Sequence, residues 1–243
     1  MMKGDRGGGR MTDWPAGTFM SRVGDLAASR LLSLAPPRHL PANQVLIAQG
    51  DEDEQVMLLG PPEDEPGDAA CVKVTSVLRN GTEAMFGIRL RGDLVGELSM
   101  FRDTPAIATV TSCSALSVRV FPHSVFESFL EEHPEAWRAL LAMVGERLEW
   151  ADRHRAEFVG YEVEARLARV LVDLAERHGT STPLGTDLGV RLSHTDLGKL
   201  IGARTDAVGN AIRRFRSEGL LVSSYRNVVI VDMERLNGVY ENA

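Results

Sequence analysis

The chain has 243 residues, of which 44% are hydrophobic and 25% charged, a composition typical of a globular protein with one large or two small domains. No apolar run reaches the length of a membrane span, and no apolar segment of a secretory signal follows the charged start MMKGDRGGGR. We therefore expect a cytoplasmic protein with no membrane partner. The two cysteines, Cys71 and Cys113, lack metal-ligand spacing and are expected to be buried, inert thiols.

The N-terminal region is predicted to contain a tail and a short helix. Residues 1–17 are glycine-rich and polar, which is typical of a disordered tail. Apolar residues at helical spacing then predict a helix over Ser21–Leu34, which the Pro36-Pro37 pair ends. Trp14 and Phe19 are candidates for docking on the folded body.

Between His39 and Pro122, short β-prone runs alternate with turn signals, and this pattern predicts an antiparallel jelly roll. The predicted strands are Val45–Ala48, Val56–Leu59, Cys71–Leu78, Ala84–Leu90, Ile107–Thr111 and Leu116–Phe121. Asn80-Gly81 is a strong hairpin signal between two of these strands. The stretch Asp51–Asp68 is acidic and contains three prolines, and its middle, PPEDEPGDAA at residues 61–70, is predicted to be an exposed, mobile loop.

A long helix follows over residues 131–159, with Pro134 suited to its first turn. Its apolar side chains recur at steps of three and four, as in the seam of a coiled coil. They are Trp137, Leu141, Val144, Leu148, Ala151 and Phe158. We interpret this stripe as a dimer interface; the alternative is a helix that packs only against its own jelly roll. Gly160 is the predicted hinge at the end of the helix.

The C-terminal third carries the most specific pattern, a helix, a tight turn, a second helix and a hairpin. Ser193 is a good N-cap with Asp196 three residues later, and Gly202 permits a tight turn. A second helix is predicted over Thr205–Ser217, and a strand pair turns at Tyr225-Arg226-Asn227. A further amphipathic helix (164–178) and a small hairpin (183–192) are predicted before these elements. This order is typical of a winged helix-turn-helix, whose second helix enters the DNA major groove.

The charge distribution agrees with a phosphate-binding face. Residues 191–216 hold six basic and two acidic residues, in a chain whose formal net charge is −7. A local basic island in an acidic protein is the electrostatic pattern expected where nucleic acid binds. The alternative is a small helical subdomain with a solvated charged surface.

Three motifs together resemble the Crp/Fnr superfamily of regulators, over residues 39–232. They are GDLVGELSMF at Gly92–Phe101 followed by Ala108–Val110, EARLARVLVDLAE at Glu164–Glu176, and LSHTDLGKLIGARTDAVGNAIRRF at Leu192–Phe215. The resemblance implies an α+β protein with a cyclic-nucleotide-binding-like β-roll, a dimerisation helix and a winged helix. It divides the chain into a tail (1–17), a β-roll domain (18–130), a dimer helix (131–159) and a DNA-binding domain (160–243).

The resemblance also implies a nucleotide pocket that has lost part of its usual chemistry. Gly96, Glu97 and Leu98 match the family's phosphate- and ribose-binding segment. The phosphate-pairing arginine is missing, because Ala106 and Ile107 stand at the corresponding positions. Ala151 and Asp152 match the pair that contacts the base, and neither carries the expected hydroxyl.

These departures disfavour cyclic AMP as the effector and leave several alternatives open. Arg89, Arg91 and Arg102 are the candidate replacements for the missing cation. Either another nucleotide or small ligand occupies the pocket, or the regulator responds to a protein and no ligand. No cofactor is assigned, and no metal is expected.

Residue by residue, the resemblance places Thr205, Asp206 and Asn210 at the base-reading positions of the second helix. Arg204, Arg213 and Arg214 are expected to contact phosphates, and Ser193 begins the first helix of the same DNA-binding set. The implied partners are double-stranded DNA, a second copy of the chain and RNA polymerase.

Two other classes of function compete with a transcription regulator. The first is an enzyme, but the sequence has no nucleophile elbow, zinc-protease, Walker or Rossmann motif, so we expect no enzymatic activity. The second, which stays open, is a sensor or scaffold protein in which the β-roll and the winged helix serve only protein–protein contacts.

Overall fold

The computed structural model describes residues 14–52, 54–62, 70–224 and 227–243. It has the predicted α+β architecture: the β-roll has two antiparallel four-stranded sheets, a long helix follows, and the C-terminal winged helix contains a third four-stranded sheet. Four segments lie outside the described residues: residues 1–13 of the predicted tail, residue 53, residues 63–69 of the predicted loop, and Tyr225-Arg226 of the wing tip.

The first helical region differs from the prediction. Two helices, α1 (Phe19–Arg22) and α2 (Asp25–Leu34), replace the single helix predicted over residues 21–34. The chain is extended at Gly24, with φ −62° and ψ 155°, because this residue is the N-cap of α2. The predicted docking of Phe19 and Trp14 is confirmed: the Phe19 ring centroid lies 6.2 Å from that of Phe126, and Trp14 packs beside Gly92.

The β-roll contains eight strands and one short helix. They are β1 (Arg38–Leu40), β2 (Val45–Ile47), β3 (Gln55–Gly60), β4 (Cys71–Val77), β5 (Glu83–Leu90), β6 (Leu94–Val95), α3 (Glu97–Arg102), β7 (Thr109–Ser112) and β8 (Leu116–Pro122). The six predicted strands are present, within a few residues of their expected bounds. Strands β1 and β6 were not predicted: the two residues of β6 are too few to show a pattern, and β1 contains a single apolar residue, Leu40.

The eight strands form two antiparallel sheets, in the orders β1-β8-β3-β6 and β2-β7-β4-β5. Both sheets contribute to one buried apolar cluster, which includes Leu59, Val72 and Val118. The predicted hairpin at Asn80-Gly81 is confirmed, because β4 and β5 pair on either side of it and Gly81 adopts φ 81°.

Two helices link the β-roll to the C-terminal domain. They are α4 (His123–Glu132) and α5 (Pro134–Gly160), with Pro134 in the first turn of α5 as predicted. One stripe of α5 is buried against its own β-roll and includes Ala136, Leu140 and Met143. Of the stripe predicted to form a dimer, Trp137 and Val144 pack against the same cluster, whereas Leu141 and Leu148 are exposed.

The C-terminal domain contains α6 (Val163–His178), β9 (Thr180–Thr182), β10 (Gly185–Asp187), α7 (His194–Ile201), α8 (Thr205–Ser217), β11 (Leu221–Ser224), β12 (Asn227–Ile230) and α9 (Met233–Glu241). The predicted bounds of α8 are confirmed. The hairpin predicted over residues 183–192 is instead formed by β9 and β10, with Pro183 and Leu184 between the two strands. Helix α9 was not predicted; its Leu236 is fully buried in the domain core.

The DNA-binding-like domain is docked on the β4–β5 hairpin. Lys73 Nζ of β4 lies 2.9 Å from Asp196 Oδ1 of α7, and Lys199 of α7 pairs with Glu83 of β5. Met85 of β5 belongs to the same buried cluster as the core of the C-terminal domain. The first helix of the helix-turn-helix is therefore held to the β-roll by two ion pairs and by apolar packing.

The two cysteines lie side by side near this joint: Cys71 begins β4, and Cys113 directly follows β7. Both are buried, as predicted, and the Cys113 N–H donates to the Cys71 carbonyl oxygen at 2.9 Å. The Cys113 thiol and burial raise the pKa of the Cys71 thiol, which keeps that thiol protonated.

Candidate functional site

The helix-turn-helix is built by local interactions that the sequence specifies. Ser193 and Asp196 form a capping box, with the Asp196 N–H 3.1 Å from Ser193 Oγ and the Ser193 N–H 3.0 Å from Asp196 Oδ2. Gly202 ends α7 in the left-handed region, with φ 60°. A Cβ atom on Gly198 would lie 2.6 Å from the Ala203 carbonyl oxygen, so the turn packs too closely for a larger residue.

Helix α8 has one buried and one exposed side. Val208, Ala211, Ile212 and Phe215 are buried against the domain core. The six predicted contact residues of α8 and its N-cap are all exposed on the other side: Arg204, Thr205, Asp206, Asn210, Arg213 and Arg214. Ser193 differs from them, because its side chain is occupied in capping α7.

Several of these exposed side chains are paired within the chain. Arg213 donates a hydrogen bond to the Asn210 side-chain oxygen. Arg214 lies 2.5 Å from Glu164 of α6 and 2.8 Å from Glu218. An exposed ion pair is worth about 0–1 kcal/mol, so exchanging it for a phosphate contact costs little. The sequence motifs did not indicate Glu164 as a partner of the helix.

A second candidate site is a cleft of about 560 Å³ between the β-roll and α5. Its lining includes five of the predicted pocket residues: Gly96, Glu97, Leu98, Ala106 and Ile107. Gly96 has φ 88°, and a Cβ atom there would collide with the Gln55 carbonyl oxygen, so the start of α3 requires glycine.

Arg147 of α5 occupies the wall of this cleft and was not predicted. Its Nη1 donates to Glu97 Oε1 at 2.5 Å and its Nη2 to the Leu94 carbonyl oxygen at 2.9 Å. Glu97 is 2% exposed, so this pair satisfies a carboxylate that would otherwise be buried alone. A signal existed in the sequence: Arg147 falls on the inward stripe of α5 with Leu140 and Met143, where a charged residue needs a partner.

Of the three predicted replacement cations, Arg89 lines the cleft and Arg91 and Arg102 do not. Burial, with a contribution from Arg147, lowers the pKa of Arg89 to about 9, so the side chain remains charged at neutral pH. Ala151 and Asp152 also lie outside the lining, and the exposed Asp152 is within 3.5 Å of Arg155. The cleft of this chain therefore contains two cations, Arg89 and Arg147, and neither predicted base-contact residue.

The predicted dimer stripe of α5 is largely uncovered. Leu141 is 67% exposed, Leu148 61% and Phe158 44%, whereas Trp137, Val144 and Ala151 are half-buried. Trp137 already contacts Phe101, with ring centroids 5.3 Å apart. Phe158 lies against Gly202 and under the Arg166 guanidinium. The C-terminal end of the stripe therefore contacts the C-terminal domain of the same chain.

Among the described residues, no group of three or more histidine, cysteine or acidic side chains is arranged to hold a metal ion. No helix in the described part of the chain is both long and apolar enough to cross a membrane.

Comparison with known proteins assigns both regions to described families. Residues 37–133 match the cyclic nucleotide-binding domain family, and residues 165–239 match the Crp-like helix-turn-helix domain family. The chain is 26% identical to the CRP-like cAMP-activated global transcriptional regulator of Mycobacterium tuberculosis H37Rv, over 91% of this chain and 95% of that protein. It is 21% identical to the cAMP-activated global transcriptional regulator CRP of Escherichia coli O157:H7, over 78% of this chain and 87% of that protein.

Solved structures show the same fold. A CRP-family transcriptional regulator from Thermus thermophilus has a TM-score of 0.69 at 19% identity, covering 85% of this chain and 97% of that chain. The c-di-GMP responsive global regulator of Xanthomonas campestris has a TM-score of 0.68 at 20% identity, covering 85% of this chain and 99% of that chain.

Proposed function

Because the chain belongs to the Crp/Fnr superfamily of transcription regulators, we propose that it acts as a cytoplasmic homodimer that binds duplex DNA sequence-specifically and has no enzymatic activity. The observation that carries this proposal is the exposed side of α8, where six polar and basic residues project from a helix packed in a capped helix-turn-helix. Each subunit would insert α8 into the major groove of one half-site, with half-site centres about 34 Å apart.

The residues of α8 would divide into readers and anchors. Asn210 can pair bidentately with adenine, Asp206 can accept from cytosine N4, and Thr205 can contact a thymine methyl group. Arg204, Arg213 and Arg214 would bind phosphates, which position the helix without reading sequence. The hydrogen bond from Arg213 to Asn210 would then have to break, which frees the Asn210 amide for a base.

Dimerisation would use the outward stripe of α5. A two-fold interface brings the same surface of both subunits together, so each exposed leucine would be buried in both subunits. The exposure of Leu141 and Leu148 supports this arrangement. RNA polymerase is the further partner that the family implies.

The β-roll cleft would take an effector in a way that differs from the family's usual cyclic AMP site. Ala106 and Ile107 offer a cyclic phosphate no charge, and Glu97 is already paired with Arg147. We expect cyclic AMP to bind at least 100-fold more weakly than is usual for the family, a loss of about 2.7 kcal/mol. Arg89 would supply the phosphate contact if another nucleotide occupies the cleft.

DNA binding is tested by selecting sequences from a random duplex library and then titrating the selected duplex at several salt concentrations. A regulator should select a two-fold symmetric sequence, and its affinity should fall steeply with salt, because phosphate contacts release counterions. A scaffold protein should give no saturable duplex binding, and that result would reject the proposal.

The effector site is tested by calorimetric titration with cyclic AMP, for the unaltered protein and for Ala106→Arg/Ile107→Ser. The double variant should bind more tightly if the backbone cradle at Gly96 is intact. Micromolar binding by the unaltered protein that also increases operator affinity would contradict the expected loss. In that case Arg89→Gln should abolish the binding.

A further inference from the structure

A second cleft of about 520 Å³ lies where the β-roll, the long helix and the DNA-binding domain meet. Strand β5 provides one wall, α5 another, and α6 and α7 close it from the side of the DNA-binding domain. It shares the side chains of Phe86, Arg89 and Arg147 with the family's nucleotide pocket, but the remaining lining is different. Domain boundaries are a preferred location for small-molecule sites.

The wall on the β-roll and α5 side combines aromatic surface with a cation. Phe86 is 41% exposed, and Trp150 belongs to the same cleft lining. Gly87 keeps the backbone open beside both groups: a Cβ atom there would lie 2.8 Å from Arg89 Nη1 and 3.8 Å from the Trp150 ring. Arg89 Nη1 donates to the neighbouring Ile88 carbonyl oxygen at 2.9 Å.

The wall on the DNA-binding-domain side carries polar atoms that are sealed from solvent and lack a partner. Asp173 Oδ1 lies 3.1 Å from Arg169, whereas Asp173 Oδ2 and His178 Nδ1 have no hydrogen-bond partner within the described part of the chain. The side chain of Arg177 has no hydrogen bond or ion pair to the described residues and reaches the cleft from its exposed rim. Burial lowers the pKa of His178 to about 4, so its imidazole is neutral at pH 7.

These groups define the chemistry of a ligand. Of the three arginines in the lining, Arg147 is already paired with Glu97, whereas Arg89 and Arg177 have no carboxylate partner in the part of the chain that the structure describes. The positive charge of Arg177 contributes to the lowered pKa of Arg89, so a carboxylate between them is favoured. Phe86 and Trp150 favour a planar ring. The free oxygen of Asp173 favours a hydrogen-bond donor on that ring, because an unsatisfied buried acceptor is costly.

We propose that this cleft, which we name the joint cleft, binds a small aromatic carboxylic acid with an amino or hydroxyl donor on its ring. The carboxylate pairs with Arg89 and Arg177, the ring lies against Phe86 and Trp150, and the donor binds Asp173 Oδ2. The ligand contacts both domains at once and therefore stabilises their docked orientation. By linkage, such a ligand changes DNA affinity if DNA favours one orientation of the domains.

The binding experiment uses three probes without DNA: anthranilate, benzoate and aniline, each titrated calorimetrically into the full-length protein. Anthranilate should bind saturably with a dissociation constant of about 1 mM or less, benzoate should bind more weakly because it lacks the donor, and aniline should not bind because it lacks the charge. A double variant, Trp14→Phe/Trp137→Phe, leaves Trp150 as the sole tryptophan, and its emission should change on addition of anthranilate.

The location is tested with Arg177→Gln, whose side chain is exposed and so does not endanger folding. This variant should lose at least tenfold in affinity for both anthranilate and benzoate. Arg155→Gln is the matched control, an exposed arginine of α5 outside the joint cleft, and should bind like the unaltered protein. The proposal is wrong if neither anthranilate nor benzoate binds saturably, or if Arg177→Gln and Arg155→Gln bind anthranilate with equal affinity.

The consequence for regulation is measured separately, as the operator affinity with and without saturating anthranilate. The affinity should change in the unaltered protein and in Arg155→Gln, and stay constant in Arg177→Gln. If anthranilate binds but operator affinity does not change, the site exists and its regulatory coupling is refuted. If the protein binds no duplex at all, the proposed function fails while the binding result still stands.

Discussion

Replacing Leu148 with glutamate should convert the proposed dimer into monomers. Full burial of a leucine contributes about 1.5–3 kcal/mol. Leu148 is still 61% exposed in the single chain, so its further burial in a dimer contributes about 1–2 kcal/mol per copy. Two-fold symmetry doubles this to about 2–4 kcal/mol per dimer. Leu148→Ala should therefore raise the dissociation constant between about 30-fold and about 1,000-fold.

Leu148→Glu should have a larger effect, because it also brings two carboxylates into an apolar interface. Sedimentation velocity over a range of concentrations measures both variants. Leu26→Glu is the matched control, since Leu26 is 80% exposed on α2, away from the stripe. If Leu148→Glu dimerises as tightly as Leu26→Glu, then α5 packs only on its own β-roll and the dimer stripe is wrong.

The remaining predictions concern DNA reading, the turn and pH. Asn210→Ala should reduce the discrimination at one base position per half-site by about 1–3 kcal/mol. Arg213→Ala should weaken binding to all duplexes equally and make the affinity less dependent on salt. If Asn210→Ala selects the same DNA sequence as the unaltered protein, the inferred position of α8 in the groove is wrong. Gly198→Ala should lower the free energy of unfolding by about 1–3 kcal/mol because the new Cβ meets backbone, whereas Gly238→Ala, with no contact closer than 3.6 Å, should raise it by about 0.5–1 kcal/mol in urea titrations. Burial lowers the pKa of His154 to about 4 in the folded protein. As pH falls below about 6.5, His154 is therefore protonated in the unfolded chain and still neutral in the folded chain. Stability should then fall by at most about 1.4 kcal/mol per pH unit down to about pH 4. The free energy of unfolding, measured in urea, should change less between pH 7.5 and pH 5.5 for His154→Gln than for the unaltered protein. In both proteins, burial raises the pKa values of Glu157 and Asp173, and this opposes part of the loss of stability at lower pH.

Local chemistry explains why the helix-turn-helix could be predicted from the sequence. A serine N-cap, an aspartate three residues later and a glycine in the turn determine the bounds of α7, and each acts within a few residues of itself. The break between α1 and α2 has no such signal, because the apolar spacing continues through Gly24. At this break, Phe19 of α1 packs against Phe126 of α4, a contact between residues far apart in the sequence.

The same reasoning explains what was missed in the candidate sites. The family motif shows that a cation is absent at Ala106 and Ile107. Of the two cations of the cleft, Arg89 of β5 was among the predicted replacements, whereas Arg147 of α5 was not predicted. Arg89 and Arg147 lie far apart in sequence and meet only because α5 crosses the β-roll. Pairs of this kind depend on the packing of one element on another, and sequence spacing does not show them.

Strand β5 connects the two candidate clefts to the helix-turn-helix. Near its end it carries Arg89, which lines both the nucleotide-type pocket and the joint cleft. At its start it carries Glu83, which pairs with Lys199 of α7. On the adjacent strand, Lys73 pairs with Asp196, the same carboxylate that caps α7. A ligand that shifts Arg89 therefore acts on a strand whose other end holds the first helix of the helix-turn-helix. This route runs through β5 and requires no change in the long helix, so an effector can act on α7 while the proposed dimer interface of α5 stays fixed.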